Sequence, residues 1–359
     1  VSVPANTGSV GEGPEAREIL AYLRGLPPGG TPWDAPPSGA DVSFLARGEY
    51  SLNYLVGLGR REEGDGVGRR YVVRLITGSQ MGLGLGEQAL YEHHALSLVS
   101  ASGVTPAPRL VDPEPGGLPY PVIVEDYLPG RPLDYATDLR AAARCIAAIH
   151  ALGVPEDHGL QVHPDPAPAV LEESAGLVEP YLEWSGASEE SQRALGAAFG
   201  RIREFQKVEG LFETGDLAVV NYDLNTHNFV VADGEARLLD WEKARVAPRT
   251  EDVAHFLIPT TTLWRDETAT RLTPAQEREF LDKYEERAGV GDVERFETQL
   301  TAVRLMISLR AVSWCAWALQ AHKRGHRPAG DEMLDKARRY LDPAFLEDLF
   351  RLRETSEGG

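Results

Sequence analysis

The sequence predicts an α+β chain in two lobes, a small one built on an antiparallel sheet and a larger one that is mainly helical. Its 359 residues exceed what a single core usually organises, about 250 to 300 residues. The pattern also changes along the chain: β-rich runs around one helix give way near residue 128 to long stretches of helical spacing. Two lobes usually enclose a cleft, and clefts bind ligands.

Residues 1–40 form an N-terminal extension, a short helix followed by "GLPPGGTPWDAPPSGA", whose Pro and Gly content dictates a loop. Residues 41–128 make the small lobe. In it "VSFLARGEYSLNYLVGLGR" and "RRYVVRLITG" are β-rich and are joined by the glycine-laden "REEGDGVG", the form of a hairpin with a loose tip. "GEQALYEHHALSLVSASG" carries Ala89, Leu90, His93, Leu96, Leu98 and Val99 at helical spacing and ends on Gly103, a C-terminal cap. "APRLVD" and "YPVIVEDYL" return to strands around the turn "PEPGGLP", and "PGRPL" closes the region. Residues 129–350 make the large lobe. Its helices are "DLRAAARCIAAIHALG", a stretch near 187–208, "PAQEREFLDKYEERAG", the long run from Asp292 to Arg324, and "DEMLDKARRYL".

Composition narrows the function. With 36 Lys plus Arg against 55 Asp plus Glu the formal charge is −19, and a nucleic-acid partner, which needs a basic surface, is not expected. Cys145 and Cys315 sit inside apolar helical patterns far apart in sequence, so they are expected as two buried thiols in a reducing compartment. The first residues carry neither a basic region nor an apolar run, so no signal peptide or anchor is expected. The longest apolar stretch, "LMISLRAVSWCAWALQAH", is broken by Arg310 and fits a core helix better than a membrane span. The expected location is the cytoplasm.

Phosphate-binding signatures of two common kinds fail. "GLGLGE" places Glu87 where a dinucleotide loop needs its third glycine, and no GxxxxGK[ST] loop exists. The only lysines are Lys207, Lys243, Lys283, Lys323 and Lys336, so none lies in the small lobe. The stretch "NYDLNTHNFVVADGEARLLDWEKA", residues 221–244, is more informative. Asp223 and Asn228 taken singly are turn caps. Between Asn228 and Asp240, however, "FVVADGEARLLD" has the form of two short strands around an Asp-Gly turn, which folds Asp240 back beside Asn228. A carboxylate and an amide oxygen brought together beside a free Asp suit Mg²⁺ and phosphoryl transfer.

This segment resembles the catalytic segment of aminoglycoside phosphotransferase-like kinases, a family that includes choline kinases and shares the protein-kinase-like two-lobe fold. The resemblance covers roughly residues 40–325. It implies that Asp223 is the catalytic base on a substrate hydroxyl and that Asn228 and Asp240 hold Mg²⁺. It further implies that the small lobe binds ATP: "RGEYSLNYLV" (Gly48, Ser51, Asn53) covers the phosphates, Arg74 in "YVVRL" grips them, Glu92 in "YEHHAL" pairs with Arg74, and Asp126, Tyr127 and Leu128 meet adenine. Two residues depart from the family pattern. Asn221 stands for the motif's histidine, whose role of tying down the catalytic loop an amide can also fill. Arg74 stands for the phosphate-gripping lysine and keeps its charge.

Asp252 comes only twelve residues after Asp240, too close for a peptide-docking segment, so a small-molecule acceptor with a hydroxyl group is expected. Amino alcohols, amino sugars, sugars and hydroxy amino acids all fit. Glu242 either assists the metal or touches the acceptor, or else pairs with Lys243 or Arg245, and Asp252 is expected to cap the "VAHFL" helix or to meet an arginine rather than bind substrate. Trp314 and Trp317, three apart on an apolar face, are expected in the core, which leaves Trp264 as the aromatic candidate for contact with the acceptor. Two alternatives stand: a nucleotide-binding sensor without catalysis, and an aminoglycoside-resistance phosphotransferase.

Overall fold

A computed structural model describes residues 13–27, 41–58, 69–208, 210–212, 216–325 and 331–351. The expected loop over residues 28–40 and the hairpin tip at 61–68 lie outside the described residues.

In the small lobe, α1 (Ala16–Gly25) precedes β1 (Asp41–Arg47), β2 (Ser51–Gly57) and β3 (Arg70–Ile76). Then come α2 (Leu85–Val99), β4 (Pro108–Asp112) and β5 (Val122–Asp126). The five strands form one antiparallel sheet in the order β1-β2-β3-β5-β4. The run "VSFLARGEYSLNYLVGLGR" is therefore two strands, divided at Gly48–Tyr50. Gly48 N–H donates to Ser51 C=O at 2.9 Å, and a Cβ on Gly48 would stand 2.7 Å from Ser51 Oγ, so the turn closes best on glycine.

Strand alternation decides what each face of this sheet does. Tyr71, Val73 and Leu75 of β3 join Ile19, Tyr22 and Leu23 of α1 in one apolar cluster. Ile76 and Ile123, on the other face, pack on Ala89 of α2. Arg74 belongs to that second face and so points toward α2. The helix ends as expected, with Gly103 in the left-handed region at φ 72° after a single 3₁₀ turn. Its apolar stripe is narrower than the spacing suggested, since Leu90 is 47 % exposed. "GLGLGE" is the start of this helix: Glu87 Oε2 accepts the Gly84 N–H at 3.1 Å.

The chain leaves β5 and crosses through β6 (Arg131–Pro132), which pairs with β8 (Phe229–Ala232). Gly130 is needed there, because a Cβ would lie 2.9 Å from Val231 O. The large lobe continues with α3 (Leu139–His150), α4 (Ala167–Leu182) and α5 (Glu189–Phe205). The short strands β7 (Leu217–Val220), β9 (Glu235–Leu238) and β10 (Arg245–Pro248) follow. Its later helices are α6 (Thr250–Leu257), α7 (Pro259–Thr262), α8 (Pro274–Ala288), α9 (Val293–Lys323), α10 (Asp331–Tyr340) and α11 (Pro343–Phe350).

Two cores share α9. Phe296, Leu300, Val303 and Ile307 face the core made with α3, α6, α8 and the short strands, where Phe256, Phe280, Tyr284 and Phe296 stack in series. Leu305, Met306, Leu309, Val312 and Ala316 face a second core made with α4, α5, α10 and α11. A helix buried on two sides must be apolar nearly all round. That explains why α9 is long and apolar enough to cross a membrane by composition, while 72 % of its most apolar window is buried inside the fold. Cys145 and Cys315 are free and buried, as expected. Helices α4 and α11 and strands β6, β7 and β10 are absent from the sequence-level expectation; α4 begins in a proline-rich stretch and contains Pro180, and the strands have at most four residues.

Candidate active site

The site is built on two chain segments that meet at the end of the short strands. β7 pairs antiparallel with β10 and delivers the loop that begins at Asn221. β8 and β9 form the expected hairpin, with Asp233 and Gly234 at φ 54° and 75°, the conformation of a two-residue turn. The Leu239 N–H then donates to Asn228 C=O at 2.7 Å, which puts Asp240 next to Asn228.

Asn221 is fully buried and ties the two segments together. Its Nδ2 donates to Asp240 C=O at 2.6 Å, and its Oδ1 accepts the Asp223 N–H at 3.0 Å. The amide thus performs the loop-holding task assigned to a histidine in the family pattern. The backbone it stabilises is unusual, since Tyr222 at φ 63° and Asp240 at φ 58° are both non-glycine residues in the left-handed region.

Asp223, Asn228 and Asp240 are brought together. Asn228 Nδ2 donates to Asp223 C=O at 2.8 Å, which leaves Asn228 Oδ1 as the atom a cation would take. Asp240 Oδ1 lies 3.1 Å from Arg74 Nη2, leaving Oδ2. These are hard oxygens of the kind Mg²⁺ takes from one or two side chains when phosphate and water complete its shell. Among the described residues no group of three or more His, Cys, Asp or Glu is arranged to hold a metal by protein ligands alone. Asp223 carries its own partners: Oδ1 accepts from Asn225 Nδ2 at 3.2 Å and Oδ2 from Lys243 Nζ at 2.9 Å. Burial pushes this carboxyl up, Lys243 above all pulls it back, and it ends below the usual carboxylate range.

The small lobe presents Arg74 to the same place. Arg74 is 5 % exposed, sits opposite Asn53 of β2 and Ile123 of β5, and makes a 2.7 Å ion pair with Glu92 of α2 as expected. Burial disfavours the charged guanidinium; Glu92 and then Asp240 outweigh burial and favour it. Asn53 Nδ2 donates to Ser51 Oγ at 3.2 Å. Asn53 Oδ1, Arg74 Nε and Glu92 Oε2 are buried without a hydrogen-bond partner among the described residues, so this pocket holds unsatisfied donors and acceptors. Such groups fit a polar ligand, and the Arg74 Nε–H suits a phosphate oxygen. Of the expected adenine contacts, the Asp126 N–H is engaged with Ala107 C=O and the Tyr127 N–H with Arg70 C=O, both at 3.0 Å. A base in this stretch would be met by Leu128 or by carbonyl groups.

Other expectations need correction. Asp252 neither caps α6 nor meets an arginine. It is 1 % exposed, accepts the Asn221 and Tyr222 N–H groups at 2.9 and 2.8 Å, and accepts from His150 Nε2 at 3.2 Å. His150 Nδ1 in turn lies 2.8 Å from the Tyr284 hydroxyl. This buried chain under the catalytic loop links residues 102 and 134 positions apart, and no local pattern announces it. Glu242 pairs with neither Lys243 nor Arg245, which are bound to Asp223 and Glu251. Its Oε1 meets Gln80 Nε2 at 3.5 Å, and burial, with Asp240 adding to it, pushes its carboxyl up to about 8. The Trp264 ring packs on Trp314 and Tyr340, with centroids 6.3 and 6.0 Å away, against the second core. Trp314 and Trp317 are neighbours on α9, and Trp314 packs against that core as expected.

Known proteins share this fold. The family profile described as "Phosphotransferase enzyme family" matches residues 41–290. Among solved structures, a choline kinase from Cryptosporidium parvum superposes with a TM-score of 0.63 at 11 % identity, covering 95 % of this chain and 97 % of its own. A macrolide 2'-phosphotransferase from Brachybacterium faecium gives 0.57 at 18 %, covering 91 % and 97 %. A spectinomycin phosphotransferase in complex with ADP and spectinomycin gives 0.59 at 12 %, covering 87 % and 93 %. Comparison with curated protein sequences gives no match. At these identities the structural likeness speaks for the protein-kinase-like fold, and the profile, which spans most of the chain, speaks for descent: the protein belongs to the phosphotransferase enzyme family.

Proposed function

We propose that the chain transfers the γ-phosphoryl group of ATP to a hydroxyl group of a small cytoplasmic metabolite. The carrying observation is the convergence of Asp223, Asn228 and Asp240 on the Arg74–Glu92 pair. ATP would lie beneath the Gly48–Asn53 turn with Arg74 on its phosphates. Mg²⁺ on Asn228 and Asp240 would neutralise phosphate charge. Asp223, ionised at neutral pH, accepts the hydrogen bond of the acceptor hydroxyl and takes its proton as the new O–P bond forms. The ordered loop under Asn221 and Asp252 holds that carboxylate in place, so positioning supplies much of the rate.

The two departures from the family pattern support an enzyme over a silent sensor, because Asn221 and Arg74 both make the contacts their roles require. A polycationic amino sugar is the less favoured acceptor. Lys243 and Arg310 act on the surroundings of Asp223, so the base is approached past positive charge. The buried free cysteines support a reducing, cytoplasmic location.

The experiment is Mg²⁺-dependent ATP consumption against amino alcohols, amino sugars, sugars and hydroxy amino acids, with wild type and Asp223→Asn side by side. Acceptor-stimulated turnover that falls by about 10²-fold or more in the variant is expected. Turnover indifferent to Asp223 refutes the mechanism.

A further inference from the structure

Lys243 is the one lysine in contact with the proposed base, and it reaches it from another segment. Trp241, 1 % exposed, anchors a turn closed by Ala244 N–H on Trp241 C=O at 3.2 Å, and this turn carries Lys243 back over the catalytic loop. Its Nζ stands 2.9 Å from Asp223 Oδ2, across 20 residues of chain. The side chain is only 18 % exposed, beside an Asp223 that is 27 % exposed. Asp223 and Glu242 outweigh the effect of burial and keep it charged. Among the described residues its hydrogen bond to Asp223 is its single one, and an ammonium has three N–H groups, so two remain to be used.

We infer that Lys243 is a catalytic residue whose two remaining N–H groups meet the phosphoryl group in transit. This rests on the phosphoryl-transfer reading above. An acceptor hydroxyl on Asp223 lies about 2.6–3.2 Å from the carboxylate, and the phosphorus it attacks lies about 3–3.5 Å beyond. An ammonium on the same carboxylate is therefore beside the equatorial phosphoryl oxygens, where charge is spread in the transition state. Arg74 is held at the other end by Glu92 and Asp240. In the step, the acceptor O–P bond forms, the bond from phosphorus to the ADP oxygen breaks, and the hydroxyl proton passes to Asp223. Lys243 keeps its protons throughout and lends charge.

The test uses ADP with Mg²⁺, with and without aluminium fluoride, a planar mimic of the phosphoryl group, titrated calorimetrically into wild type, Lys243→Met and Lys243→Arg. Fluoride should tighten ADP binding to wild type by about tenfold or more, Lys243→Met should lose most of that gain, and Lys243→Arg should keep part of it. Thermal melting and the affinity for ADP alone report whether each variant is folded; if the methionine variant is not, Lys243→Gln takes its place. Full tightening in a folded Met or Gln variant overturns the inference, as does a wild type that binds ADP without any gain from fluoride. A wild type that binds no ADP overturns the phosphoryl-transfer reading itself.

Discussion

The two walls of the site arrange their charges differently. On the small-lobe side a single guanidinium, Arg74, feels four carboxylates, those of Glu92, Asp240, Glu125 and Glu242. On the catalytic-loop side a single base, Asp223, has Lys243 in contact, while Arg245 and Arg310 stack on the Tyr222 ring beside it at 3.4 and 5.4 Å from the centroid. Burial raises three of these carboxyls, those of Glu92, Glu125 and Glu242, so the first wall gathers acids that share a single guanidinium. On the second wall each cation has its own carboxylate: Lys243 has Asp223, Arg245 has Glu251 and Arg310 has Glu173. On the proposed function, Mg²⁺ would be taken at the first wall and the phosphoryl group met at the second.

That contrast can be broken from either side. The largest effect is expected for Arg74→Met, which leaves Glu92 buried and unpaired. Removing one partner of a buried pair costs about 3–5 kcal/mol, so melting should drop and nucleotide affinity should fall with it. Unchanged melting and affinity would mean that the small-lobe wall does not depend on its one cation. A smaller loss is expected for Asp252→Asn. An amide cannot accept both backbone N–H groups and the His150 N–H as the carboxylate does, and hydrogen bonds to charged groups are worth about 1.5–3 kcal/mol each. Turnover should fall more than acceptor KM rises, because Asp252 touches the loop and not the ligand; the reverse split would place it at the acceptor.

The smallest effect sharpens the comparison through pH. Glu125 is 6 % exposed, and burial, against the pull of Arg74 and with Asp240 adding to it, pushes its carboxyl up to about 7. The folded state thus holds this proton more tightly than the unfolded state, whose carboxyl titrates at about 4.3. Stability from this group is complete below that value and is lost as pH rises toward 7. Glu125→Gln should flatten the fall in melting temperature between pH 5 and 8, in a series measured without nucleotide. An unchanged slope would show that Glu125 does not carry the acidity of that wall.

Much of the site was legible because it is local. Asn228 and Asp240 are joined by one hairpin whose Asp-Gly turn is written in the sequence, and the alternation of β3 puts Arg74 on the α2 face with Glu92. Asp252 was misjudged for the opposite reason, as was the pairing of Glu242 with Lys243 or Arg245. Glu242 and Asp252 were matched to nearby charges or to a helix start, whereas their partners come from α2's approach and from α3. Trp264 lies in a polar stretch, yet α9 and α10 bring Trp314 and Tyr340 to it.

By itself the sequence determined the chemistry on offer: two aspartates and an asparagine joined by a hairpin, an arginine in a strand and a glutamate in a helix, each in a segment whose local pattern sets its conformation. Only the tertiary structure decided which charges meet. It set Lys243 on Asp223, Asp252 under the loop and four carboxylates around Arg74. Secondary structure follows from neighbours in sequence. Electrostatics follows from distance in space, and burial makes those distances count.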